Sequence, residues 1–128
     1  MSEFGSGSLA ETADAIRTRQ LSPVELVRKQ LAVIAARNPQ LNVYVTVMAE
    51  QALDDAQQAE AEISGGSYRG PLHGIPLSLK DLIYTAGTAT TASSPILRDF
   101  VPAHDANVTT RLKEAGAIII AKANMLEF

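Results

Sequence analysis

The sequence predicts an α/β fold, with helices packed on a small parallel or mixed sheet, and three observations carry that prediction. The first half holds capped stretches with apolar residues every three or four positions, the period of an amphipathic helix. Ile75 to Lys80 reads as an apolar strand ending in a lysine. Ala117-Ile118-Ile119-Ile120-Ala121 is apolar without alternation, as expected of a strand covered on both faces. A helical pattern separates these two runs, and strand, crossover helix and strand make a right-handed parallel unit.

Taken in order, Met1 to Ser8 has the Gly-Ser-rich composition of a flexible leader or cloning scar, which leaves residues 9–128 as one domain. Ser8-Leu9-Ala10-Glu11 reads as a capping box opening a short helix whose Leu9, Ala13 and Ile16 share a face. In Ser22-Pro23-Val24-Glu25 the serine caps, Pro23 takes the first helical position, Glu25 is placed to reach back, and Leu21 can staple onto Leu26. The helix that follows buries Val24, Val27, Leu31 and Ile34 and is expected to end at Asn38-Pro39. Leu41 to Val47 fits either a short strand or an extended link. From Ala49 to Ile63 the pattern is helical, but the face made by Ala52, Ala56, Ala59 and Ile63 is small, so this helix is expected to lie exposed until Gly65-Gly66 ends it. Beyond the lysine strand comes a long Thr/Ser/Ala-rich connection, Asp81 to Pro102, and connections of that length tend to serve function. Asp105 is expected to cap the last helix, with Val108, Leu112 and Ala115 on its buried side and Gly116 at its end.

Composition narrows the function classes. A chain of 128 residues can bury roughly two thirds of its unfolded surface around one core. The net charge of −3 and the lack of a basic stripe argue against direct nucleic-acid or anionic-membrane binding. Cysteine is absent, so disulfides and thiolate metal sites are excluded, and two isolated histidines do not suggest zinc. No cofactor is expected: Gly116 precedes a strand and opens no phosphate-binding helix. The longest apolar run is far too short to span a bilayer, and a cytoplasmic protein is the simple reading.

Lys80 is the residue to explain. Ile75, Leu77, Leu79, Leu82 and Ile83 surround it in sequence, so its amine is expected to be partly desolvated, which favours the neutral form of an amine. In an extended segment Pro76, Ser78 and Lys80 share one face. A neutral lysine can take a proton from a hydroxyl, as serine–lysine nucleophile arrangements require. Set against this, a strand-end lysine commonly lays its stem on apolar surface and keeps its ammonium in water. Thr90, Thr91, Ser93 and Ser94 read as turn formers and caps rather than nucleophiles, His73 as a loop residue, and His104-Asp105 as a weak triad signal.

Gly70-Pro71-Leu72-His73-Gly74-Ile75-Pro76-Leu77-Ser78-Leu79-Lys80-Asp81 resembles the lysine-bearing strand of the amidase signature family. Thr90 to Ser94, Phe100 to Ala106, Arg111 to Ala117 and Lys122 to Phe128 are similar to the same family in the same order. The resemblance implies the amino-terminal part of a larger amidase fold. It also implies amide-bond hydrolysis by a lysine and two serines without metal or cofactor, on a small-molecule amide substrate. Lys80 matches the catalytic lysine, while the serine-bearing stretch of family members lies past the point matching Phe128. The chain alone is therefore expected to be inactive. Within the family, the glutamine-hydrolysing subunit of a tRNA-dependent amidotransferase fits equally well. Outside it stands a non-catalytic folding fragment or oligomerising module, and a sheet this small is expected to leave edges that favour a homo-oligomer.

Overall fold

The computed structural model describes residues 7–125, so most of the Gly-Ser leader and the end of the Lys122 to Phe128 stretch lie outside the described residues. The elements run α1 (Leu9–Arg17), α2 (Pro23–Leu41), β1 (Tyr44–Val47), α3 (Ala49–Ser64), β2 (Pro76–Lys80), a 3-10 turn (Pro95–Leu97), α4 (Asn107–Glu114) and β3 (Ile118–Ala123). The sheet is mixed, with β3 in the centre, antiparallel to β1 and parallel to β2. None of the helices among the described residues is long and apolar enough to cross a membrane.

Local chemistry explains the boundaries. Ser8 and Glu11 form the reciprocal capping box of α1. At α2 only half of the expected box forms. Ser22 Oγ accepts from Glu25 N at 3.2 Å, but its hydroxyl donates across to the Glu60 carboxylate of α3. Asn38-Pro39 does not end α2, because proline in a last turn deletes one donor where few backbone bonds remain to be lost. Asn42, left-handed at φ 54°, closes the helix through its N–H to Asn38 O (2.7 Å). The Asn38 side chain instead seats β1, donating to Tyr44 O and accepting from Tyr44 N.

Two apolar clusters meet at α2. Val24, Val27 and Ile34 pack with Ala52, Ala56, Ile118, Ile120 and Ala121, while Leu26 joins Ala13, Ile16, Leu21, Ile63 and Ile75. The small face of α3 is thus buried core and not an exposed helix surface. Alanines let its backbone approach α2 and β3 closely, so few methyl groups fill the space. Around α4 two expectations fail. Asp105 does not cap it: its carboxylate accepts from Ala86 N (2.7 Å) and pairs with Lys113 (3.0 Å), leaving Ala106 at the cap. Val108 is exposed, and the buried contact of α4 is Thr109, whose hydroxyl donates to Tyr84 O (2.8 Å).

One irregularity positions the site. Between the pairs Leu77↔Ile119 and Ser78↔Ala121, Ile120 is an extra residue, and its carbonyl accepts Met48 N–H (2.8 Å). Ile118, Ile120 and Ala121 all join the helix-side cluster, so the next residue, Lys122, falls on the other side of the strand.

Candidate active site at the ends of the parallel strands

Because β2 and β3 are parallel, Lys80 and Ala123 end side by side, and Asp81 N donates to Ala123 O (3.0 Å). Ligands in sheets of this kind bind outside the carboxyl ends of the strands. The long connection folds back over this end. Asp81 O accepts Ala92 N (2.7 Å), and Asp81 Oδ2 accepts the N–H and the hydroxyl of Thr91. Held this way, Ala92 and Ser93 both take positive φ, 51° and 54°, a conformation that side chains disfavour. Ser93 Oγ donates to Asn124 Oδ1 (2.7 Å) and accepts Met125 N (3.1 Å), while Asn124 Nδ2 donates to Asn42 O. The turn residues of the sequence thus become one wall beside the end of β2.

Lys80 itself is exposed, as is Ser78, and both lie on the face opposite buried Leu79. The shared face is as expected, but the expected desolvation is not present. Ile75 and Leu79 are spent on the core, and Leu82 turns outward. The buried lysine is Lys122, fully inaccessible, with Nζ donating to Ile83 O (2.7 Å) and Thr90 Oγ1 (2.9 Å). Burial pushes its ammonium below the usual lysine range, opposed only in part by the Asp81 carboxylate, whose Oδ1 is 3.9 Å away. That oxygen accepts no hydrogen bond among the described residues. Sequence reasoning passed over Lys122; the available signal was a cation directly following an unalternated apolar strand.

His73 sits in the turn before β2, as expected of a loop residue. It is buried, Nδ1 accepts Arg69 N (3.0 Å), and Nε2 therefore carries the proton toward Glu62 Oε1 (2.8 Å). This cluster borders a cleft of about 430 Å³ whose lining includes neither Lys80 nor Asn124. His104 is exposed beside Tyr84, and its neighbour Asp105 is engaged elsewhere, so no triad forms there. No group of three or more metal-ligating side chains occurs among the described residues.

Burial tends to raise the Glu62 carboxyl, but hydrogen bonds from Gln58, His73 and Arg69 and the charge of Arg69 outweigh it and hold the group below the usual range. A carboxylate lowered in the fold adds stability that is present above its ordinary range and is lost as pH falls through the lowered value. Asp105, lowered against burial by Ala86 N–H and Lys113, acts in the same direction. Urea midpoints should therefore decline from about pH 6 to about pH 3, with Glu62→Gln flattening the decline. An unchanged slope would remove Glu62 from that account.

The family model for amidases matches residues 25–128. The chain belongs to the amidase family. AmiD of Mycobacterium tuberculosis, named a candidate amidase, is 50% identical over 119 residues, covering 93% of this chain and 25% of that protein. The glutamyl-tRNA(Gln) amidotransferase A-chain of Azoarcus sp. is 49% identical over 123 residues, covering 96% of this chain and 25% of that protein. Among solved structures, the peptide amidase of Stenotrophomonas maltophilia superposes with a TM-score of 0.92 at 35% identity, over 98% of this chain and 26% of its own. The chain spans about a quarter of the length of the curated relatives it matches. As an amidase segment, then, its α/β fragment carries the lysine strand and the wall beside it.

Proposed function

We propose that this chain is the lysine-bearing part of an amide-bond hydrolase in which Lys80 moves the proton. The observation that supports this is the placement of Lys80 on an open face at the carboxyl end of β2, beside the Ser93–Asn124 wall. In this reading a serine from elsewhere in the complete enzyme attacks the carboxamide carbon. Lys80, in its neutral form, takes the proton through a second, bridging serine. The C–N bond then breaks, the amine leaves with that proton, and water hydrolyses the acyl-serine. Those parts of the enzyme that cover Lys80 would supply the desolvation its own strand lacks.

The test is ammonia release from a carboxamide by the complete enzyme, with trapping of an acyl-serine. Hydrolysis with no dependence on Lys80 would overturn the proposal. The similarity to an amidotransferase chain favours a second reading, glutamine hydrolysis, and comparing glutamine with a peptide carboxamide as substrate separates the two. The 128-residue chain alone is expected to be inert. Ser93 Oγ donates its hydrogen bond to an amide oxygen rather than to a base, and Ser94 Oγ caps the 3-10 turn by accepting from Ile96 N. Stoichiometric labelling of either serine by a fluorophosphonate would contradict this.

We also propose that the isolated chain self-associates. β3 is paired on both sides, so the available edges belong to β1 and β2. Val43 just before β1 and Val45 and Val47 within it stand 44%, 41% and 38% exposed, an apolar edge strand of the kind that recruits other chains. Light scattering should show a dimer or larger species, and Val45→Lys should shift it toward monomer. A parent chain that stays monomeric at high concentration would rule this out.

A further inference from the structure

We propose that Lys122 is a positioning residue for Lys80, its ammonium tying down the segment after β2 and, with Asp81, fixing the strand end that carries Lys80. This rests on the reading of Lys80 as the proton-transfer group. One ammonium joins Ile83 O to Thr90 Oγ1, and the Thr90 hydroxyl donates a hydrogen bond to Thr88 O (3.2 Å). Asp81, next to Lys80, holds Thr91 through its carboxylate and Ala92 through its carbonyl, and its amide holds β3. Lys122 and Asp81 are both completely buried and together close the two ends of the 81–92 segment on the carboxyl end of the sheet.

The pair is poorly arranged for stability alone. Burying two charges is unfavourable unless their contact is excellent, and here Nζ and Oδ1 are 3.9 Å apart with Oδ1 unsatisfied among the described residues. Apolar side chains would fill the same space at lower cost. What they could not do is hold the Ile83 carbonyl and the Thr90 hydroxyl at fixed points. Without those two bonds the segment can slide, and with it the backbone of Asp81 and the direction of the Lys80 stem. A misplacement of about 1 Å in a reacting group lowers turnover roughly a hundredfold.

Two variants test this: Lys122→Met, which keeps the apolar stem and removes the donors, and Lys122→Met with Asp81→Asn, which leaves no buried charge unpaired. In the 128-residue chain, both should lose amide hydrogen-exchange protection at Thr90 and Ala92 while the amides of α2 and α3 keep theirs. In the complete enzyme both should lower kcat roughly a hundredfold with KM little changed, and the double variant should regain thermal stability but not turnover. Unchanged protection at Thr90 and Ala92, or turnover that returns together with stability, would overturn the proposal and leave Lys122 a core residue only. Parallel assay of Lys80→Met separates the two levels. If that variant is inactive and Lys122→Met is not, only the positioning role falls; if Lys80→Met is fully active, the role of Lys80 falls and this one with it.

Discussion

Replacing Lys80 by methionine in the complete enzyme is expected to lower kcat by about 10² to 10⁴-fold, the usual contribution of a positioned general base, and to leave the fold intact. Both halves follow from where the residue sits. Its side chain is exposed at the last position of β2 and donates no hydrogen bond among the described residues, so methionine removes nothing that holds β2 to β3. Substitutions of that kind usually change stability by no more than about 0.5 kcal/mol. The loss should therefore appear in turnover and not in circular dichroism or Tm. A lysine serving only to keep a strand end soluble would show the reverse, an active enzyme that associates more readily. Comparable amide hydrolysis by mutant and parent would refute the assignment.

Much of this fold is legible in the sequence because its elements carry local chemistry. Ser8 with Glu11, Ser22 with Pro23, and the unalternated run from Ile118 each state an element with few competing interpretations. Two of the failures share a cause. The buried alanines of α3 and Thr109 on α4 depend on what another element offers in space, which no local pattern encodes, whereas Pro39 is tolerated because it falls in the last turn of α2. The site divides the same way. Lys80 stands out by its position in an apolar strand, and the order of motifs around it marks the family. Lys122 does not stand out, since its burial depends on a bulge at Ile120 and a loop returning from forty residues upstream, beginning at Asp81. His73 is hidden for a similar reason: its partners, Glu62 and Gly116, come from either side of it in sequence and meet only in the folded chain.

Gly116→Ala should be among the most destabilising single methyl groups this chain can receive, by about 2 to 4 kcal/mol. Gly116 has φ +88°, where a side chain already costs about 1 kcal/mol or more. A Cβ there would also lie 2.4 Å from His73 Cδ2, 2.9 Å from Cγ and 3.0 Å from the backbone Cα. His73 has no room to yield. Its ring is bonded at both nitrogens, to Arg69 N and Glu62 Oε1, and the following residue, Gly74, donates its N–H to Gly116 O at 2.9 Å. The added methyl must therefore part the turn before β2 from the turn before β3, and these turns lead into the parallel strands that carry Lys80 and Lys122. Gly87→Ala supplies the comparison, since φ is +74° and nothing lies within 4 Å of the new Cβ. That variant should lose only the conformational share, about 1 kcal/mol. Urea unfolding of both variants beside the parent measures the difference. Equal losses would mean that the contact with His73 yields easily and that backbone conformation alone sets the cost.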